Sequence, residues 1–265
     1  MSVRVEIAVE DLAGLEVAAR GGADRVELCT ELALGGITPP AELVARCTQR
    51  AASLVAAQEA KPHFDVQVLI RESAGSDDFL GRPAEFMYTE AQIATMAEQA
   101  AESVAAGASG VVLGALTEAG ELDLPALETL RDAALGAAST ALRGLTLTHH
   151  RALDAMPSRE ARAEAVRTLL GLGFHRVLSS GGAARALDGA GDLAAMVEAA
   201  EDLLDVCAGG GVRPADVRDL VTSTGLSDIH LSARRRPGAP LEADAPDTRT
   251  DPAIVTAAVD AAGEL

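Results

Sequence analysis

The chain is 265 residues long, 48% hydrophobic and only 2% aromatic, with a formal net charge of −18 and a pI near 4.6. That length suits one α/β barrel, and Leu, Val, Ile and Ala must fill its core. The acidic balance excludes a nucleic-acid partner and an anionic membrane surface, which both need a basic face, and no apolar run approaches the ~20 residues that cross a bilayer.

Taken in chain order, Val3–Val9 reads as a buried strand, and residues 10–20 put Leu12, Leu15 and Ala19 on one helical stripe. "GADRVELC", starting at Gly22, is a second strand that breaks into Gly35-Gly36. Thr38 and Pro39 predict the N-cap and first turn of a helix over 39–57. Phe64–Arg71 is the third strand, followed by a long loop at 72–88 on the presumed active face, where such loops serve as lids or are disordered insertions. The capping box Thr89-x-x-Gln92 starts a helix over 90–106. Then come "GASGV" at Gly107, a helix at 124–135, a strand at Leu145–His150 and a helix at 159–170. "GFHRV" at Gly173, a helix at 192–202, a strand at Leu204–Ala208, a helix at 214–223 and "GLSDI" at Gly225 follow. Residues 233–252, rich in Pro, Asp and Arg, read as a flexible surface segment before a short last helix at 253–263.

Four of these strands share one device: a glycine, three residues, then Val or Ile, each after an Ala/Leu-rich helix. Glycine in the left-handed conformation closes the helix and turns the chain tightly into a strand. Strand and helix alternate eight times, so the expected fold is a single (β/α)8 TIM-like barrel over 1–265, with an open doubly wound sheet as the alternative. The Gly-led strands are the even-numbered ones. Aligned on their glycines, they place Glu27, Val112, Leu178 and His230 in one row, and Cys29, Gly114, Ser180 and Ser232 in the next. A period of two puts both rows on one face, expected to be the lumen, with the polar row nearer the C-terminal mouth.

The chemistry-bearing residues then gather at strand ends. Glu6 stands inside the first strand, Arg71 ends the third, and His149-His150-Arg151 ends the fifth, with Asp154 just beyond. Charges in buried strands need partners, so Glu6, Glu27, Arg71, His150, Asp154 and His230 form the candidate catalytic set. His149 alternates with His150, so only one of them faces inward. Asp24 and Arg25 read as a stabilising ion pair at the opposite end, Cys47 and Cys207 as buried apolar groups, and His63 and His175 as surface residues. The turns "SSGGAA" at 179–184 and "AGGGVRPADV" at 208–217 can cradle an anion on backbone N–H groups. The candidate ligand-binding residues are therefore Arg151, Ser180, Gly181, Gly209, Gly210 and Gly211. Two carboxylates and two imidazoles can hold a divalent metal. Without metal, His150 or His230 can act as general base while Arg71 binds an anionic group through two parallel hydrogen bonds. Three scattered cysteines without a CxxC argue for a reducing cytosol, and the polar start after Met1 gives no expectation of a signal peptide.

"GADRVELC", "GGITP", "THHRALD", "HRVLSSGG", "AGGGVRPADV" and "DIHLSA" resemble, in this order, the motifs of the CutC copper-homeostasis family over residues 3 to about 233. The resemblance implies a TIM-like barrel, a cytoplasmic location, a homo-oligomer that is often a dimer, and Cu(I) binding in copper homeostasis. On the residues that match the motifs it carries over Glu6, Glu27, Cys29, Arg71, His150, Arg151, Asp154 and His230. The chain departs from the motif pattern at Ala8 and Val9, where many members have cysteine, at Gln67, where many have histidine, and at Glu72-Ser73-Ala74-Gly75. Cu(I) prefers at least two soft ligands, so Cys29 without a thiol at position 8 predicts a weak copper site. Two readings stand open: Cu(I) bound through Cys29, or a lyase- or isomerase-type barrel enzyme acting on a small anionic, phosphorylated or unphosphorylated, ligand. A regulatory or scaffold protein is a third.

Overall fold

Strand and helix alternate eight times in the computed structural model, which describes residues 3–72, 82–234 and 250–265. The strands are β1 (Arg4–Val9), β2 (Arg25–Leu28), β3 (Asp65–Leu69), β4 (Gly110–Leu113), β5 (Thr146–His149), β6 (Arg176–Ser179), β7 (Asp205–Ala208) and β8 (Asp228–Leu231). The helices are α1 (Leu12–Arg20), α2 (Ala41–Ala56), α3 (Glu90–Ala105), α4 (Leu124–Thr140), α5 (Arg159–Gly171), α6 (Ala190–Ala200), α7 (Val217–Thr224) and α8 (Pro252–Gly263). All strand pairs are parallel, and β8 closes on β1, so the sheet is a barrel and not an open layer. No helix among the described residues is long and apolar enough to cross a membrane.

Local chemistry explains the element ends. Gly22, Gly107, Gly173 and Gly225 all have positive φ, as the strand-leading glycines predict. The capping box of α3 forms: Gln92 N–H donates to Thr89 Oγ1, and Thr89 N–H donates to Gln92 Oε1 at 2.9 Å. Thr38, by contrast, does not cap α2, which begins at Ala41 after Pro40. Its hydroxyl instead accepts from the backbone N–H of Arg71 at 2.8 Å and lies 2.7 Å from Gln99 Oε1. The expected segment at 233–252 falls mostly outside the described residues, as does the first part of the 72–88 loop. Of the latter, Pro83–Phe86 forms a 3-10 turn whose Phe86 is buried against the barrel.

Outward strand residues such as Val5, Ile7, Val26, Val68, Val111 and Ile229 join the helices in one apolar core. The alternate residues fill the lumen. Their register advances two residues for every second strand crossed, so residues of alternate strands fall into layers (Glu27 pairs Gln67, and Gln67 pairs Gly110, one step below Val112). From the base upward the layers are Arg25, Gly110, Arg176 and Asp228; then Glu6, Gln67, Thr148 and Cys207; then Glu27, Val112, Leu178 and His230; then Ala8, Leu69, His150 and Gly209.

The lower layers are ionic. Arg176 Nη1 donates to Glu6 Oε2 at 2.9 Å, Arg25 Nε lies 3.5 Å from the same oxygen, and Arg25 also pairs with Asp228. Arg4 closes the base by bridging Asp228 and Asp205. Arg25 is thus an ion-pair residue as expected, but it points into the lumen. Cys207 is buried as expected, yet it lies among Arg176, Glu6 and Asp228 rather than in an apolar shell. Removing one member of a buried ion pair leaves the other uncompensated. Arg176→Met should therefore lower stability by about 3–5 kcal/mol in urea unfolding, and Glu6→Gln added to it should recover part of that loss.

Candidate functional site

At the C-terminal mouth the strand ends surround a cavity of about 310 Å³. Glu27, Arg71, His150, Arg151, Gly210, Gly211 and His230, all singled out from sequence, line it, together with Leu69, Phe86, Leu178, Ser232 and Arg234. Glu6 lies directly below. Its Oε1 is 2.8 Å from Nδ1 of His230, whose Nε2 is 3.7 Å from Glu27 Oε2. One imidazole therefore stands between two carboxylates. Burial pushes the Glu6 carboxyl up, but the Arg176 guanidinium, the His230 hydrogen bond and Arg25 outweigh it and hold Glu6 well below the usual carboxylate range. Glu27 goes the other way: burial raises it, only partly opposed by His230, and Glu6 adds to the rise. Burial disfavours the imidazolium of His230, yet the Glu27 and Glu6 carboxylates prevail and raise it above the ordinary histidine value. Two carboxyl groups driven apart around one imidazole whose pKa is raised suit proton transfer.

The other histidine pair divides as the alternation requires. His150 faces the cavity, while His149 points outward, its Nδ1 3.0 Å from the His150 carbonyl oxygen and its ring 6.0 Å from that of Phe174. Burial lowers both, His149 to about 4 and His150 well below the ordinary value, with His149 and Arg71 adding to the fall at His150. Arg71 reaches the rim on β3's extension. Its Nη1 donates to the carbonyl oxygens of Gly35 and Gly36 at 3.1 and 3.3 Å, and its guanidinium lies 5.1 Å from the Phe86 ring.

Asp154 is not a cavity group. Its carboxylate accepts from Ser179 Oγ at 2.6 Å, from the Ser180 and Gly182 N–H groups at 2.9 and 3.2 Å, and from Arg151 Nε at 2.8 Å. It positions Arg151 and ties down the glycine turn after β6. That turn consequently offers little to an anion: Gly181 N–H donates to Ser179 Oγ, and Ser180 Oγ lies 2.6 Å from the Ala183 carbonyl oxygen and accepts from Arg151. Gly209 N–H donates to the Ser179 carbonyl oxygen, and a side chain on Gly209 would stand 2.5 Å from Leu178. Only Gly210 and Gly211 of the glycine turns border the cavity, with a Cβ on Gly210 falling 2.9 Å from the Arg151 guanidinium.

Cys29 is fully buried above Glu27, beside Leu69 and Val112, and its Sγ is 3.8 Å from the Val9 carbonyl oxygen. Burial, Glu27 and Glu10 push its thiol well above the usual range, which disfavours the thiolate a metal needs. Among the described residues no group of three or more His, Cys, Asp or Glu is placed to hold a metal ion. Arg176 and Asp228, on which the site's charge state rests, were not singled out from sequence. Their parity with Leu178 and His230 on the aligned strands was the available signal.

A sequence model of the CutC family matches residues 3–235. A family protein CutC of Agrobacterium fabrum is 40% identical over 233 residues, covering 88% of this chain and 80% of that protein. One of Caulobacter vibrioides is 37% identical over 230 residues, covering 87% and 81%. A crystal structure of CutC from Streptococcus agalactiae, whose name attributes copper homeostasis to it, superposes with a TM-score of 0.72 at 26% identity, over 86% of this chain and 97% of that one.

The pKa directions set a pH response. The unfolded chain takes up a proton on His149 near the ordinary value of 6.5, whereas the folded chain resists until about 4. Acidification across that window therefore favours unfolding, by on the order of 3 kcal/mol from this residue. Chemical denaturation between pH 7 and 4.5 should show stability falling with pH, and His149→Leu should flatten the slope.

Proposed function

The chain belongs to the CutC family, and from that premise we propose that its barrel mouth performs acid–base chemistry, of lyase or isomerase type, on a small anionic ligand. The observation that carries the reading is the Glu6–His230–Glu27 arrangement on the floor of a cavity that Arg71 and Arg151 also line. Glu27 exchanges the proton with the ligand. His230 supports it from the same layer, held in turn by Glu6 below, while the arginines offset the ligand's charge. A divalent metal does not suit this donor set, because Glu6 is already held by Arg176 and both ring nitrogens of His230 face carboxylates. A cytoplasmic, homo-oligomeric protein completes the proposal, on the strength of the family resemblance.

Copper homeostasis is the second reading, favoured by the name of the Streptococcus agalactiae relative. Cu(I) asks for two soft ligands, and Cys29 has a raised thiol pKa, with Cys207 three layers lower beside Arg176. A role in copper homeostasis on this chain would thus rest on a weak site. Titration with Cu(I) against a competing chelator should give no stoichiometric binding that disappears in Cys29→Ala. Tight, Cys29-dependent binding would make copper the primary reading.

The acid–base reading is tested on whatever anion co-purifies, identified by native mass spectrometry. Incubated with that anion in deuterated buffer, the protein should convert it or exchange its carbon-bound protons, followed by proton NMR. Glu27→Gln should still bind the anion but slow the conversion by about 100-fold or more. Unchanged turnover in Glu27→Gln would end the proposal.

A further inference from the structure

One wall of the cavity carries buried N–H donors without acceptors among the described residues: Nε2 of His150, and Nε and Nη2 of Arg71. His150 is 4% exposed and caps the 3-10 turn Arg151–Ala155, its Nδ1 accepting from Ala152 N–H at 3.3 Å. A neutral imidazole whose Nδ1 accepts a hydrogen bond carries its proton on Nε2. That Nε2 has no hydrogen-bond partner among the described residues, and neither has Nε of Arg71, which is 2% exposed. Phe86 aligns the two groups, its ring centroid 5.1 Å from the His150 ring and 5.1 Å from the Arg71 guanidinium. Gly114 makes the room: a Cβ there would lie 2.6 Å from the His150 ring. Nature rarely leaves buried N–H donors without acceptors unless a ligand supplies them.

From this geometry we infer that Arg71 Nε–H and His150 Nε2–H form a subsite for a carbonyl-type oxygen, and that the ligand is a small monocarboxylate or oxo acid. The inference rests on the acid–base reading of the cavity and names its substrate class. Charge pairing selects a monoanion over a phosphate dianion. Each arginine bordering the cavity has a carboxylate nearby: Arg151 has Asp154 at 2.8 Å, Arg234 has Glu10 at 2.8 Å, and Arg71 has Glu85 at 4.0 Å, which Arg82 shares at 3.6 Å. A neutral histidine adds a donor and no net charge. The implied step balances without a further reactant. Glu27 takes the proton from the carbon beside the carbonyl, the C–H electron pair forms a C=C bond as the C=O π pair moves to oxygen, and the developing oxyanion is received by the two N–H groups. Return of the proton from Glu27 to carbon regenerates the carboxylate.

Histidine 15N NMR on the intact protein tests the assignment without any substitution. Between pH 6 and 8, His150 should be neutral and protonated at Nε2, and that signal should move on addition of pyruvate. Pyruvate affinity should fall at least tenfold in Arg71→Met and in His150→Phe, and stay unchanged in the exposed His63→Gln. An imidazolium or an Nδ1–H tautomer at His150 overturns the inference, as does binding of inorganic phosphate in preference to pyruvate. Those failures leave the acid–base reading standing if Glu27→Gln still abolishes turnover, whereas normal turnover in Glu27→Gln removes that reading and leaves the oxygen subsite to be judged by pyruvate alone.

Discussion

The carboxylate of Glu6 is the point on which the lumen depends. It is 1% exposed, and it receives Arg176 from β6, Arg25 from β2 and His230 from β8. A buried carboxylate, like a buried guanidinium, is costly unless paired, and each of these groups is made tolerable by the others. The ring of charges therefore exists as a unit or not at all, joining strands that lie 170 and 224 residues apart in the chain. Such networks are not the cheapest way to fill a barrel, since apolar layers of the same volume serve stability as well or better. Their value lies above. A negative charge under His230 orients that ring and favours its charged form, and the ring in turn faces Glu27 at the floor of the cavity.

Most of the architecture could be read from local signals. The strand-leading glycines at 22, 107, 173 and 225 adopt the positive φ that their spacing implies, and the capping box at Thr89 forms as written. The mouth was legible for the same reason. Strand parity put Glu27 and His230 on one face, and the C-terminal ends of strands three and five supplied Arg71 and His150. What escaped is what only closure creates. Arg176 opens a short strand after "GFH" and looks like a solvated lead-in residue, and Asp228 likewise precedes an apolar run. Both share the parity of Leu178 and His230 and so face the lumen, but that their charges meet those of Glu6 and Arg25 emerges only when the barrel closes. Thr38 shows the converse: its cap signal is genuine chemistry, redirected by tertiary partners at Arg71 and Gln99. Asp154 was seen as a charge near the site, but only the folded turn reveals that its oxygens are spent on backbone N–H groups.

The long-range field and the local chemistry point the same way. A net charge of −18 surrounds the barrel with a potential that repels anions, most strongly those with the highest charge. Within about 8 Å at physiological salt, nearby groups take over, and the cavity offers arginines and polarised N–H groups. Because Asp154, Glu10 and Glu85 offset those arginines in part, the net local attraction is modest and directional. A polyanion would pay the full cost of approach and gain little at the end. A small monoanion pays less and gains the hydrogen bonds of a desolvated pocket, where each is worth more than in water. If the mouth takes an anion, as proposed, the acidity of the surface favours one of low charge.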